Sequence, residues 1–315
     1  MTLRGFFKQL NIVEQCRKYG LTIWQCPQFL FLLMGLIIIG STLVIYVIGT
    51  RYVESPELVA LMVLLTALVL FIIAFIITRS FERLAEANRM KSEFVKIVSH
   101  QLRSPMTNLK WSIDLLMSGE LGEIGKEQIE YFKILRENVS RMTELVKDLL
   151  TVSRIEEGSL LVKKEMVSLE QIVKDLILRF KPLALASNVV VKLETQKDLP
   201  EILVDSYQIK TVIENLLDNA IRYVKGRGEV LIKIEKKEEG LCFKVKDTGV
   251  GIPKEDQKYI FQKFFRAENA IRQQTQGSGL GLFIAKSIIE RLGGKIGFQS
   301  EENKGTTFWF TLPTT

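Results

Sequence analysis

The chain has 315 residues, 25% charged and 47% hydrophobic, which excludes wholesale disorder and collagen-like repeats and suits two or three modest domains. Its net charge is +7, but residues 1–79 hold 6 Lys/Arg against 3 Asp/Glu and residues 80–315 hold 37 against 33, so the long part is nearly balanced, which argues against a nucleic-acid partner. Three cysteines (Cys16, Cys26, Cys242) show neither metal spacing nor a disulfide framework, and a single histidine, His100, argues against a His-ligated zinc or haem centre.

In residues 1–28, Leu3, Phe6, Phe7, Leu10 and Val13 recur at helical spacing beside basic residues. Two readings stand: an amphipathic helix lying on the inner face of a membrane, or an ordinary solvated helix start. Pro27 ends the pattern. Residues 29–49 and 58–77 carry no charge, and 20 helical residues cover roughly 30 Å, the hydrocarbon thickness of a bilayer. Residues 29–77 therefore read as a transmembrane hairpin. Arg4, Lys8, Arg17 and Lys18 precede it and Arg79, Arg83, Arg89 and Lys91 follow, whereas the loop 50–57 has one Arg and two Glu. The positive-inside rule predicts a multi-pass cell-membrane protein with both termini in the cytoplasm and the lipid bilayer as a partner.

Residues 78–91 read as a helical linker. From Arg79 to Ser118 there is no Gly, and Pro105 is the only proline. Ile77, Phe81, Leu84, Val95, Val98 and Leu102 form a 3–4 seam that Asn88 and Lys91 interrupt. Residues 119–126 predict a turn. Helical spacing then returns from Glu127 to Ile155 with Ile129, Phe132, Leu135, Val139, Met142 and Leu149. One hairpin over 92–157 cannot bury both stripes; two can, as a four-helix bundle, so a homodimer is expected. Residues 158–315 change pattern. Strands are predicted at 229–235, 241–247, 295–299 and 306–312, with helices at 168–180, 207–224 and 281–292. The fold class is thus multidomain: a membrane hairpin, a helical dimerisation hairpin, and an α+β sandwich with helices on one sheet face.

The chemistry concentrates in that last domain. Leu241, Phe243, Val245 and Asp247 share one strand face, so Asp247 extends a buried row and needs a donor. Thr248-Gly249-Val250-Gly251 follows, where a ligand can approach the backbone. An exocyclic amine such as adenine's would satisfy Asp247; an Asp opening an ordinary turn is the other reading. Asn215, Asn219 and Arg222 share a helix face opposite Ile209, Val212, Leu216 and Ala220. An amide oxygen there suits Mg²⁺, which completes its octahedron with phosphate and water, and Arg222 adds a phosphate donor; a plain polar helix face is the alternative. Gly277-Ser278-Gly279-Leu280-Gly281 opens a helix and offers backbone N–H groups to phosphates, without the Lys of a P-loop.

In this order the segments resemble a bacterial membrane-bound sensor histidine kinase of a two-component system. The resemblance runs from about residue 90 to the C-terminus: a phosphoacceptor box at Ser99–Pro105, an asparagine box at Asn215–Tyr223, a glycine box at Asp247–Gly251, a phenylalanine box at Phe261–Arg266, a lid box at Gly277–Gly281, and Gly305-Thr306. It implies a Bergerat-type ATP-binding domain, with ATP and Mg²⁺ as cofactors. His100 would take the γ-phosphoryl group. Asp247 would hold the adenine amine, Asn219 the Mg²⁺ with support from Asn215, while Arg222 and Tyr223 would line the nucleotide and Arg266 would meet the γ-phosphate. Gly249, Gly251, Gly277, Gly279, Leu280, Gly281 and Thr306 would complete the pocket, with residues 267–281 as its lid. A response regulator, supplied in trans, would receive the phosphoryl group on an aspartate.

Two positions depart from the family pattern. Gln101 stands where a carboxylate base is usual; it cannot take a proton but can hold the imidazole tautomer. Ser104 stands where the family's phosphatase position is often Thr or Asn, and can still orient a water. The 22 residues between the second span and His100 are too few for a separate sensory domain, so the signal is expected through the membrane hairpin, residues 1–28, or another protein. A non-transferring ATPase of the Bergerat group and a catalytically weak scaffold are the competing readings.

Overall fold

The computed structural model describes residues 27–238, 240–274 and 277–313. The amphipathic segment expected before Pro27 lies outside them. The described residues divide into two compact units, one of residues up to 105 with 156–159, the other of residues 106–155 with those from 160 onward.

The first unit holds helix α1 (Pro27–Tyr52) and the first part of helix α2 (Pro56–Met117). Both contain stretches long and apolar enough to cross a membrane, Phe29–Tyr52 and Pro56–Leu84, with few of their side chains buried. The second is several residues longer than the uncharged run 58–77. Gly49 lets the two helices meet closely: a Cβ there would lie 2.8 Å from Val59 Cγ1. The hydroxyls of Thr42 and Thr78 donate to the carbonyls four residues back, each at 2.8 Å, so these polar groups are satisfied within their own helix, as an apolar solvent requires. Helix α2 runs on through the linker and the phosphoacceptor box without a break, as the 3–4 seam predicts. The division between the units falls within it at Pro105, whose missing N–H removes one rung of the helical ladder. Near the far end of the hairpin, Lys91 Nζ lies 3.8 Å from a carboxylate oxygen of Glu156.

In the second unit, α2 ends at a turn and helix α3 (Lys126–Glu156) follows, close to the expected bounds. Met106, Ile113 and Val139 form a small core with Met117, Phe132 and Val146. The other apolar stripe is open: Leu109, Tyr131, Ile134, Leu135, Met142 and Leu145 are exposed.

The remainder is an α/β sandwich. Its elements are β1 (Glu165–Val167), α4 (Leu169–Ala186), β2 (Val189–Thr195), β3 (Ile202–Val204), α5 (Ser206–Arg222), β4 (Gly228–Lys237), β5 (Gly240–Asp247), α6 (Glu268–Gln273), α7 (Gly281–Arg291), β6 (Lys295–Glu301) and β7 (Gly305–Leu312). The five-stranded sheet has the order β2-β4-β5-β7-β6. Pairing of β4 with β5 is antiparallel, Lys237 opposite Gly240, as the short charged turn predicts. Strand β2, the small β1–β3 pair and helix α6 are additions to the sequence reading. The reason for β2 is tertiary: α4 returns the chain so that β2 joins β4 in parallel, a pairing that no local turn announces.

The two principal helices are capped by side chains. Ser168 Oγ accepts from Gln171 N at 3.3 Å, and Asp205 Oδ1 accepts from Gln208 N at 2.9 Å. Asp205 Oδ2 also accepts from Lys163 N at 2.7 Å, which fastens the incoming linker to the start of α5. Helices α4, α5 and α7 pack one core against one sheet face. At its centre the rings of Phe243 and Phe310 stack with centroids 4.8 Å apart, both fully buried. Phe243→Ala is expected to cost about 3–5 kcal/mol. That is a large share of a domain's stability, and urea unfolding followed by tryptophan fluorescence should shift accordingly.

Candidate functional site

The site grows from the end of β5. Leu241, Phe243 and Val245 are fully buried toward the helices, and Asp247 continues the row at 4% exposure. Its Oδ1 accepts from Gly249 N at 2.8 Å and from Thr306 N at 3.1 Å. Oδ2 takes neither bond and is the acceptor available to a ligand. Burial pushes the Asp247 carboxyl up to about 6 against the pull of the backbone N–H donors. Thr306 thus serves through its backbone, while its hydroxyl meets Ser300 Oγ at 2.8 Å. Ser300 Oγ in turn accepts from Ile252 N at 2.8 Å, which ties the glycine turn to β6.

Helix α5 forms the second wall. Ile209, Val212, Leu216 and Ala220 are buried, so the opposite face presents Asn215 and Asn219. Arg222 Nε donates to Asp218 at 2.7 Å, an i,i+4 pair on the same helix. Tyr223 caps the helix, and its carbonyl accepts from Val250 N at 3.0 Å, which joins α5 to the glycine turn. A Cβ at Gly249 would lie 2.5 Å from that carbonyl oxygen, and one at Gly281 2.8 Å from Asn215 Oδ1; these two glycines keep turn, lid and helix in close approach. Gly251, Gly277 and Gly279 have φ of +65°, +143° and +68° and shape the turns on either side.

The lid is built from α6 and the turn before α7. Arg266 Nη1 donates to the Gly277 carbonyl at 3.4 Å, and Nη2 donates to the Gln274 carbonyl, so Arg266 braces the middle of the lid. Leu280 is buried and its N–H donates to Ser278 Oγ at 3.2 Å. Asn269 Nδ2 donates to the Gly251 carbonyl at 3.0 Å, and its buried Oδ1 has no hydrogen-bond partner. Asn269, Ser278 and Ser300 are absent from the sequence-derived set. A Ser beside a glycine was readable for Ser278, but the other two are brought in only by packing.

These residues fit the groups expected of them. An open buried acceptor beside a glycine turn suits an adenine amine. Among the described residues no cluster of three His, Cys, Asp or Glu could hold a metal by itself. A Mg²⁺ on Asn219 would therefore take most of its ligands from phosphate and water, the usual preference of that ion. In the first unit, His100, Gln101 and Ser104 lie exposed on α2, and Ser99 beside them is buried.

The Asp247 carboxyl gains its proton as pH falls through about 6, and then presents an O–H where a ligand amine needs a bare acceptor. Adenine-nucleotide affinity, measured by displacement of a fluorescent ATP analogue, should be level above pH 7. Below about 6 it should weaken by up to roughly tenfold per unit, and the slope should vanish in Asp247→Asn. That variant should also bind about thirtyfold more weakly at pH 7.5, a cost of about 2 kcal/mol for turning an acceptor into a donor.

Comparison with known proteins adds independent support. The family "His Kinase A (phospho-acceptor) domain" matches residues 90–158, and "Histidine kinase-, DNA gyrase B-, and HSP90-like ATPase" matches residues 204–315. The circadian input-output histidine kinase CikA of Synechococcus elongatus is 30% identical over 229 residues, covering 72% of this chain and 30% of its own length. The crystal structure of full-length ShkA in complex with AMPPNP superposes with a TM-score of 0.60 at 27% identity, covering 71% of this chain and 46% of that one. Histidine kinase ThkA, solved in complex with response regulator protein TrrA, gives a TM-score of 0.50 at 25% identity, covering 74% and 64%. The chain spans 25–37% of the length of such curated relatives. With a phosphoacceptor domain followed by this ATPase domain on one polypeptide, the chain belongs to the sensor histidine kinases.

Proposed function

We propose that this protein is an ATP-dependent protein-histidine kinase that phosphorylates His100 and passes the phosphoryl group to an aspartate of a response regulator. The observation that carries this reading is the buried Asp247 carboxylate, with one oxygen held by Gly249 and Thr306 and the other open, on a chain whose only histidine is exposed. Asp247 accepts the adenine amine. Asn215 and Asn219 face the phosphates, with Asn219 the Mg²⁺ ligand; the ion supplies charge neutralisation when bound. Residues 267–281 cover the nucleotide, and the turn Gly277–Gly281 offers N–H groups to phosphate. Arg222 and Arg266 reach phosphate by exchanging their present partners. A neutral His100 nitrogen attacks the γ-phosphorus, the bond to the β-bridging oxygen breaks, and ADP leaves. Gln101 fixes the imaizole tautomer by hydrogen bonding, and Ser104 orients water for dephosphorylation of the regulator.

The partners follow from the surfaces. Two copies of the hairpin 92–157 bury the stripe that includes Leu109, Ile134 and Leu135 as a four-helix bundle, so the working form is a homodimer. The apolar stretches of α1 and α2 anchor it in the cell membrane, with the linker 78–91 and the ATP-binding domain 158–315 cytoplasmic.

The full chain with Mg²⁺ and radiolabelled ATP should gain an acid-labile, base-stable phosphate. His100→Ala should abolish it, and label that persisted in that variant would refute the assignment. If a carboxylate base speeds the attack, Gln101→Glu should raise the autophosphorylation rate about tenfold or more; an unchanged rate would show that amide hydrogen bonding suffices.

A further inference from the structure

The second unit contains one polar contact that nucleotide binding does not explain. Ser278, the hydroxyl-bearing residue of the glycine turn before α7, donates from Oγ to Asp148 Oδ2 at 3.1 Å, although the two are 130 residues apart in sequence. Asp148 belongs to α3 of the helical hairpin. The same stretch of α3 meets the α/β domain twice more. Lys147 Nζ lies 5.4 Å from the ring centroid of Tyr207, at the start of α5, and Val152 is buried in the α/β core. The hydrogen bond is therefore part of a packed contact.

We infer that Asp148 is a specificity determinant working against polyphosphate: its carboxylate, held on the glycine turn by Ser278, disfavours ATP relative to the unphosphorylated nucleoside. This rests on the reading that Gly277–Gly281 receives the phosphates. Like charges separated by a few ångströms in a half-buried setting are weakly screened, so a carboxylate hydrogen-bonded to a phosphate-receiving turn opposes each phosphate that enters. Ser278 Oγ cannot donate its one proton to Asp148 and to a phosphate at once. Binding of ATP therefore has to break the Asp148 contact or coexist with the repulsion. Burial holds the Asp148 carboxyl above the ordinary aspartate range, with Glu144 adding to that rise and the Ser278 bond and Lys147 opposing it. The contact thus already carries a desolvated carboxylate.

The test is made on the full chain in detergent micelles at pH 7.5, by measuring dissociation constants for ATP and for adenosine. Asp148→Asn keeps the shape and an acceptor oxygen but removes the charge; Asp148→Ala removes both. Each should tighten ATP about five- to tenfold and leave adenosine unchanged, and the gain should shrink in 0.5 M salt, on the order of the screening expected at that strength. Unchanged or weaker ATP binding in both variants would overturn the inference, as would a parallel change for adenosine, which signals a rearranged domain. If the parent binds ATP and Asp247→Asn weakens binding about thirtyfold while the Asp148 variants behave as the parent, this inference alone fails. If the parent does not bind ATP, the functional reading fails with it.

Discussion

A carboxylate buried at the end of a central strand has to be satisfied, and much of the α/β domain is arranged around that demand. Asp247 sits in the row of Leu241, Phe243 and Val245, where water cannot reach it freely. Two backbone N–H groups answer one oxygen, from Gly249 just after it and from Thr306 at the start of β7. That pair of bonds fixes the glycine turn against the far strand. Ser300 reinforces the fixing by accepting from Ile252 while sharing a hydrogen bond with Thr306. The other oxygen is left as a directed acceptor in a desolvated setting, where a hydrogen bond is strong and a missing one is costly.

Helix α5 does the complementary work. Its buried side carries the core and its open side carries Asn215 and Asn219, so packing alone aims the amides away from the sheet. Close approach of Gly281 to Asn215 brings the lid turn to the same wall, and Tyr223 passes the helix end to the glycine turn through Val250. The candidate site is consequently bounded by three segments distant in sequence. Arg266 and Asn269 brace the lid in the same way, by donating to main-chain carbonyls.

The helical part follows a different rule. A hairpin has two apolar stripes and only one partner helix, so Met106, Ile113 and Val139 are buried while Leu109, Ile134 and Leu135 remain exposed. In the proposed homodimer a second copy would bury that remaining stripe, at roughly 25 cal/mol per Å² of apolar surface. Helix α2 runs from Pro56 to Met117, and Pro105 is the place where its backbone ladder is thinned.

Periodicity and residue chemistry made the two apolar helices, the long hairpin, the four longer strands of the sheet's antiparallel part and the asparagine, glycine and lid segments legible in the sequence. Each of these signals is local: a 3–4 or 2-residue repeat, an uncharged run, or a glycine that only a tight turn requires. Even the burial of Asp247 was legible, because strand alternation places it on the face of Phe243. What only the tertiary structure decided is pairing across distance. The parallel addition of β2, the use of the Thr306 N–H in place of its hydroxyl, the brace from Asn269 and the bond between Asp148 and Ser278 all join segments with no shared local pattern. Which donors and acceptors meet over such separations is set by how the core packs, and a one-dimensional pattern carries no record of it.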